Sequence, residues 1–155
     1  MDRIDRKILA LYQLDTRRIA ESIGSEVGLS AAAVQRRIKR LRSTGAIRSE
    51  IAVLDPGATG VLITCVVLLT MVSRPAPAAS LSRFKREMIR LTQVQQCYQV
   101  TGSSDFVLVV TARSMEEYGE FARRSFESNE NVMRYETLVV LDRAKVGLSL
   151  SVPVA

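Results

Sequence analysis

AESIGSEVGLSAAAVQRRIK, residues Ala20–Lys39, is the stretch on which the fold reading turns. Two helical patterns meet in it at a glycine. Ile19, Ile23 and Val27 recur on one face before Gly28, and Val34, Ile38 and Leu41 recur on one face after Ser30. A helix-turn-helix needs a small residue where its helices cross and a residue tolerant of positive φ in the turn. It also needs an apolar plug and a cap for the second helix. Gly24, Gly28, Leu29 and Ser30 supply these in that order. Each feature is common alone; in sequence, ahead of a basic helix, they define the motif.

The helix after Ser30 carries the chemistry. At about 100° per residue, the side opposite Val34, Ile38 and Leu41 bears Ala32, Ala33, Arg36, Lys39 and Arg40, with Gln35, Arg37 and Arg42 on the flanks. No acid occurs between Val27 and Ser49. A guanidinium bridges the two acceptors of guanine, so Arg36 is the first candidate for a base contact. Gln35 is the second, with adenine as its partner, and Ala32 and Ala33 are small enough to meet thymine methyls. Arg37, Lys39, Arg40, Arg42 and the Ser30 hydroxyl are expected on phosphates. For any single arginine the alternative is a solvated surface charge.

Charge is distributed to match. Residues 1–50 hold 11 Lys/Arg and 6 Asp/Glu, whereas residues 51–155 hold 11 and 10. The net charge of +6 therefore lies almost wholly in the first third, where a polyanion would be met. Histidine is absent, which removes imidazole as metal ligand, acid or base and argues against an enzyme. No cofactor or metal is expected. Cys65 and Cys97 lack CxxC spacing and read as reduced thiols of a cytoplasmic protein. Met1–Asp5 is too charged for a secretion signal, and the apolar run Val61–Val72 is too short to span a bilayer, so no membrane partner is expected.

Outward from the motif, periodicity predicts helices over about Asp2–Gln13, Arg18–Val27 and Ala31–Ser43, with Gly45 past the last. Residues 47–54 read as a short strand and Asp55-Pro56-Gly57 as a turn. Then come a strand over Val61–Ser73, a break at Arg74-Pro75-Ala76-Pro77 and a helix over Ser80–Thr92 with Leu81, Phe84, Met88 and Leu91 inward. Strands over Gln95–Thr101 and Phe106–Ala112 flank Gly102-Ser103-Ser104-Asp105. A helix over Met115–Glu127 follows, with Ser114 and Glu117 as a capping box, then a strand over Val132–Leu141. The tail Leu148–Val152 is expected to add an edge. The order βαββαβ predicts an α+β protein: an N-terminal (winged) helix-turn-helix plus a C-terminal ferredoxin-like sandwich domain. The expected domains are 1–47, a linker strand and turn over 48–60, and 61–155. Both faces of the Val61–Ser73 strand are apolar, yet two helices cover only one face of a four-stranded sheet. The other face, with Leu62, Val66, Leu68 and Val72, predicts self-association unless the N-terminal domain covers it.

These residues resemble the Lrp/AsnC family of feast/famine regulators. Asp2-Arg3-Ile4-Asp5-Arg6-Lys7-Ile8-Leu9 matches its opening, and Asp15-Thr16-Arg17 a turn that follows. Val27-Gly28-Leu29-Ser30, Val34–Leu41 and Gly45-Ala46-Ile47 resemble its recognition half, and Val100-Thr101-Gly102-Ser103-Ser104-Asp105-Phe106 its effector hairpin. The chain departs from the family pattern at Ser103, where an acid is common, and at Phe106, where tyrosine is. The resemblance implies a sequence-specific transcriptional regulator that binds double-stranded DNA. It implies homodimers formed through paired sheets and assembled into octamers or similar rings. It also implies a small effector, usually an amino acid, bound between subunits near Thr101, Gly102, Ser104 and Asp105, with Thr137 added from the last strand. Two other readings share the scaffold: a nonspecific architectural DNA organiser, and a sirohaem-decarboxylase-like enzyme, whose chemistry leans on the histidine this chain lacks.

Overall fold

The computed structural model describes residues 1–73 and 76–154. They divide into two compact units, residues 1–53 with the tail from Lys145 on, and Leu54–Ala144.

The first unit is built on three helices, α1 (Arg3–Tyr12), α2 (Ala20–Val27) and α3 (Ala31–Ser43). Asp2 and Asp5 form a reciprocal capping box at the start of α1, and the Ser30 hydroxyl accepts from the Ala33 N–H at the start of α3. Ile8, Tyr12, Ile23, Val34, Ile38 and Leu41 make the core where the three helices meet. The turn follows the sequence reading closely. Gly28 sits at φ 73°, in the left-handed region, and Leu29 N–H donates to the Gly24 carbonyl at 3.0 Å. A methyl on Gly24 would fall 2.4 Å from the Leu29 carbonyl oxygen, so the crossing admits only glycine without movement.

Two expectations for this unit are corrected. Residues 48–55 form no strand, so the helix-turn-helix has no wing among the described residues. The unit offers no second strand for pairing, and this segment is held by side chains instead. The tail adds no edge strand to the sheet; it lies with the first unit, where Gln13 on α1 both donates to the Leu150 carbonyl (2.8 Å) and accepts from its N–H (2.9 Å).

In the second unit, Asp55 caps a single turn, α4 (Pro56–Thr59), where only a turn was expected. Strands β1 (Ile63–Met71), β2 (Val94–Gln99), β3 (Phe106–Ala112) and β4 (Val132–Val139), with helices α5 (Ala78–Ile89) and α6 (Met115–Ala122), complete the βαββαβ order. The sheet is antiparallel, in the order β2-β3-β1-β4. Part of the expected break, Arg74 and Pro75, lies outside the described residues. Ser114 caps α6 as predicted, but the Glu117 carboxylate accepts from the Arg113 N–H, one residue earlier than a capping box requires.

The helices cover one face. Cys65, Val67, Leu69 and Met71 on β1 and Phe106, Leu108 and Val110 on β3 pack under Phe84, Met88, Tyr118, Phe121 and Phe126. A π-helical turn at Arg123–Glu127 ends α6. Its wider winding lets Phe121 and Phe126, five apart, both point at the sheet, where an α-helix would splay them. Their rings meet edge to face at 5.3 Å. By the pairing register, the opposite face presents Thr64, Val66, Leu68 and Thr70 on β1, Val107, Val109 and Thr111 on β3, and Arg134, Glu136 and Leu138 on β4. Among the described residues, α5 and α6 pack on the first face and not on this one.

Candidate functional site

Helix α3 is fixed by ions on both flanks. On one side, Arg37 donates to Asp2 Oδ2 (2.6 Å) and Asp5 Oδ1 (2.7 Å), and Arg40 Nη2 donates to both oxygens of Asp5 at 2.6–2.7 Å. The Asp5 residue is wholly buried. Burial pushes its carboxyl up, but the Asp2 N–H and the Arg37 guanidinium outweigh that and hold it below its ordinary value. The Arg37 guanidinium also holds the Asp2 carboxyl down at about 2.

On the other side, Arg42 lies over the Tyr12 ring, 5.8 Å from its centroid, and donates to the Tyr12 oxygen (2.7 Å) and to Glu50 (2.9 Å). The Tyr12 hydroxyl donates to Glu50 at 2.6 Å. These two donors keep the Glu50 carboxyl below its ordinary value. The segment after α3 is thereby tied back to the helix.

Between the flanks stands the crest. Ala32, Arg36 and Lys39 are exposed, and among the described residues Arg36 and Lys39 make no hydrogen bond or ion pair. Gln35 is exposed, Ala33 is half-buried, and Ser30 is exposed with its hydroxyl on the Ala33 N–H. The structure therefore separates cations that the sequence grouped together. Arg37, Arg40 and Arg42 have intramolecular acids, while Arg36 and Lys39 face solvent. Sequence reasoning gave Asp2, Asp5, Tyr12 and Glu50 no role beside α3. Arg37 and Arg40 meet acids 32–35 positions away and Tyr12 meets Glu50 across 38, and no local pattern signals these pairings.

At the far end of the sheet, the β2–β3 hairpin holds the other predicted group. Gly102 adopts φ 118°. The Asp105 carboxylate accepts from the Met71 N–H at 2.8 Å, and its own N–H donates to the Leu69 carbonyl at 2.7 Å, so Asp105 ties the hairpin to β1. Ser104 lines a cavity of about 260 Å³ with Leu68, Thr70, Arg134, Tyr135 and Glu136. Thr101 and Gly102 are exposed beside it and do not line it. Thr137 is not brought to the hairpin: its hydroxyl bonds Tyr118 on the helix-covered face. Arg134 and Glu136 were missed by sequence reasoning; their two-residue spacing on a strand puts a cation and an anion on one face. Among the described residues, no group of three or more His, Cys, Asp or Glu is gathered as for a metal. Cys65 and Cys97 are free, with burial pushing both thiols up. No described helix is long and apolar enough to cross a membrane.

A helix-turn-helix with a cationic crest, joined to a ferredoxin-like α+β domain, points to the class of DNA-binding proteins. Residues 1–42 match the AsnC-type helix-turn-helix domain, and residues 64–150 match the Lrp/AsnC ligand binding domain. An HTH-type transcriptional regulator of Sinorhizobium fredii is 38% identical over 154 residues, covering 99% of this chain and 90% of that one. Another, of Haemophilus influenzae, is 32% identical over 145 residues, covering 94% and 85%. The crystal structure of an AsnC family transcriptional regulator from Agrobacterium tumefaciens superposes with a TM-score of 0.86 at 27% identity, covering 97% and 96% of the two chains. The chain belongs to the Lrp/AsnC family of transcriptional regulators.

Proposed function

We propose that this regulator reads duplex DNA through the crest of α3, with Arg36 on a base edge and Lys39 on a phosphate. The observation that carries this reading is the pair of unpartnered cations on an otherwise ion-locked helix. Ala32 and Ala33 leave room for close approach at the helix N-terminal end, where Ser30 and Gln35 also lie. Arg37, Arg40 and Arg42 contribute field and secondary phosphate contacts; Arg40 and Arg42 keep about half their side-chain surface open, 54% and 48%.

The protein works as a homodimer, paired through the open face of the sheet, in which Val66, Leu68, Val107, Val109 and Leu138 form an apolar patch. Dimers assemble further, into octamers or similar rings. The effector is a small molecule such as an amino acid, bound between subunits by the hairpin, a carboxylate facing Arg134 and an ammonium facing Glu136, with Ser104 on the wall and Thr101, Gly102 and Asp105 shaping the loop. The protein has no catalytic role and works in the cytoplasm.

The test is a salt titration of binding to a duplex selected from a randomised pool. The slope of log K against log salt should be about −0.9 per phosphate contacted. Lys39→Ala should reduce that slope by about one and weaken all sequences alike, while Arg36→Ala should cost about 1–3 kcal/mol at one base position. A salt-independent affinity would overturn the reading.

A further inference from the structure

The sequence offers Arg37 and Arg40 to DNA, but the structure gives both first to a carboxylate inside the protein. Asp5 lies on α1, is 0% exposed, and receives three guanidinium contacts from one side of α3 at 2.6–2.7 Å. The two arginines are three apart, so a single point on α1 grips α3 on adjacent turns. Such a grip fixes two things that apolar packing alone leaves loose: the roll of α3 about its axis and its slide along α1. Val34, Ile38 and Leu41 could tolerate small rotations, because methyl contacts are non-directional. A carboxylate held by one nitrogen of Arg37 and one of Arg40 cannot, because each bond is directional. The roll of α3 sets where Arg36 and Lys39 point. It also sets where Arg40, still 54% exposed, directs the N–H groups that Asp5 does not use.

We propose that Asp5 is a positioning residue for DNA reading, holding α3 through Arg37 and Arg40 in the one roll that aims Arg36 at a base edge. Asp5 itself does not touch DNA. This rests on the reading of the α3 crest as the DNA-reading face. It makes a prediction that runs against simple electrostatics. Removing an anion beside a DNA-binding face strengthens attraction to any phosphate backbone. Losing the roll weakens only the sequence-specific part.

The experiment compares full-length wild type and Asp5→Asn on two probes: a duplex selected by the wild type from a randomised-core pool, and an alternating poly(dI-dC) duplex. The expected result is a fall of about tenfold or more in the ratio of selected to nonspecific affinity, the discrimination of one good base contact. Affinity for the nonspecific duplex should be equal or higher. An unchanged ratio overturns the proposal while leaving the DNA-reading function intact. A parallel loss on both probes also overturns it, since that is what a merely structural role produces. Should Asp5→Asn lose its helical signal, Arg40→Lys carries the test. It keeps the charge but replaces the rigid, planar N–H directions of the guanidinium with a rotating ammonium on a shorter stem, so the ratio should fall with the fold intact, and a retained ratio overturns the proposal. Failure of the wild type to select any duplex overturns the underlying reading, and the proposal with it.

Discussion

The two units hold their working parts by opposite means. In the first, α3 is oriented by charge: Asp2 and Asp5 on one flank, Tyr12 and Glu50 on the other. In the second, the sheet is oriented by apolar layers, with Phe84, Phe106, Phe121 and Phe126 almost wholly buried on one side. Directional bonds suit a helix whose crest side chains must keep one orientation. Non-directional packing suits a sheet platform buried on one face by aromatic and aliphatic layers. The difference teaches where each unit is vulnerable: the platform to loss of volume, the reading head to salt, pH and single-charge changes.

The largest expected effect lies in the platform. Phe121→Ala opens a cavity between α6 and β3 and should destabilise the second unit by about 3–5 kcal/mol, measured by denaturant unfolding. Next comes the crossing of α2 and α3. Gly24→Ala puts a methyl against the Leu29 carbonyl and should cost the first unit about 1–3 kcal/mol, read from its own melting transition.

Acid should separate the units without any mutation. Asp2, Asp5 and Glu50 all have depressed carboxyl pKa values in the folded chain. Their contribution is fully present above their unfolded values near 4 and is lost as pH falls through the folded ones, about 2 for Asp2. In the second unit only Glu117, held down by the Arg113 N–H, has a resolved shift of this kind among the described carboxylates. Amide NMR signals of α1 and α3 should therefore weaken between about pH 4 and 2 before those of β1 and β3. The smallest effect is Glu50→Gln. It loosens a partly exposed pair and should cost below about 1 kcal/mol, while raising amide exchange in residues 48–53. If it left that exchange unchanged, Glu50 would not be what holds the segment.

Much of this was readable beforehand. Gly24, Gly28, Leu29 and Ser30 predicted the turn because each answers a local backbone requirement, and the α3 and β3 boundaries were read to the residue. The misses share one cause. The strand over residues 47–54 had a suitable pattern, but a strand exists only with a neighbour, and its unit provides none. The tail Leu148–Val152 had an edge-strand pattern but is bound by Gln13, far away in sequence. Thr137 was offered to the hairpin, but the register of β4 against β1 turns it to the helix side.

By itself the sequence determined the three helices of the first unit, the four strands and two main helices of the second, the turn at Gly28 and the cationic character of α3, because these depend on spacing and backbone chemistry within a few residues. Only the tertiary structure decided which cations are free. Arg36 and Arg37 are chemically identical neighbours, and what separates them is a carboxylate at position 5 that the fold carries beneath one and not the other. Coulomb attraction acts over ångströms in space, and the chain does not write those distances into its order.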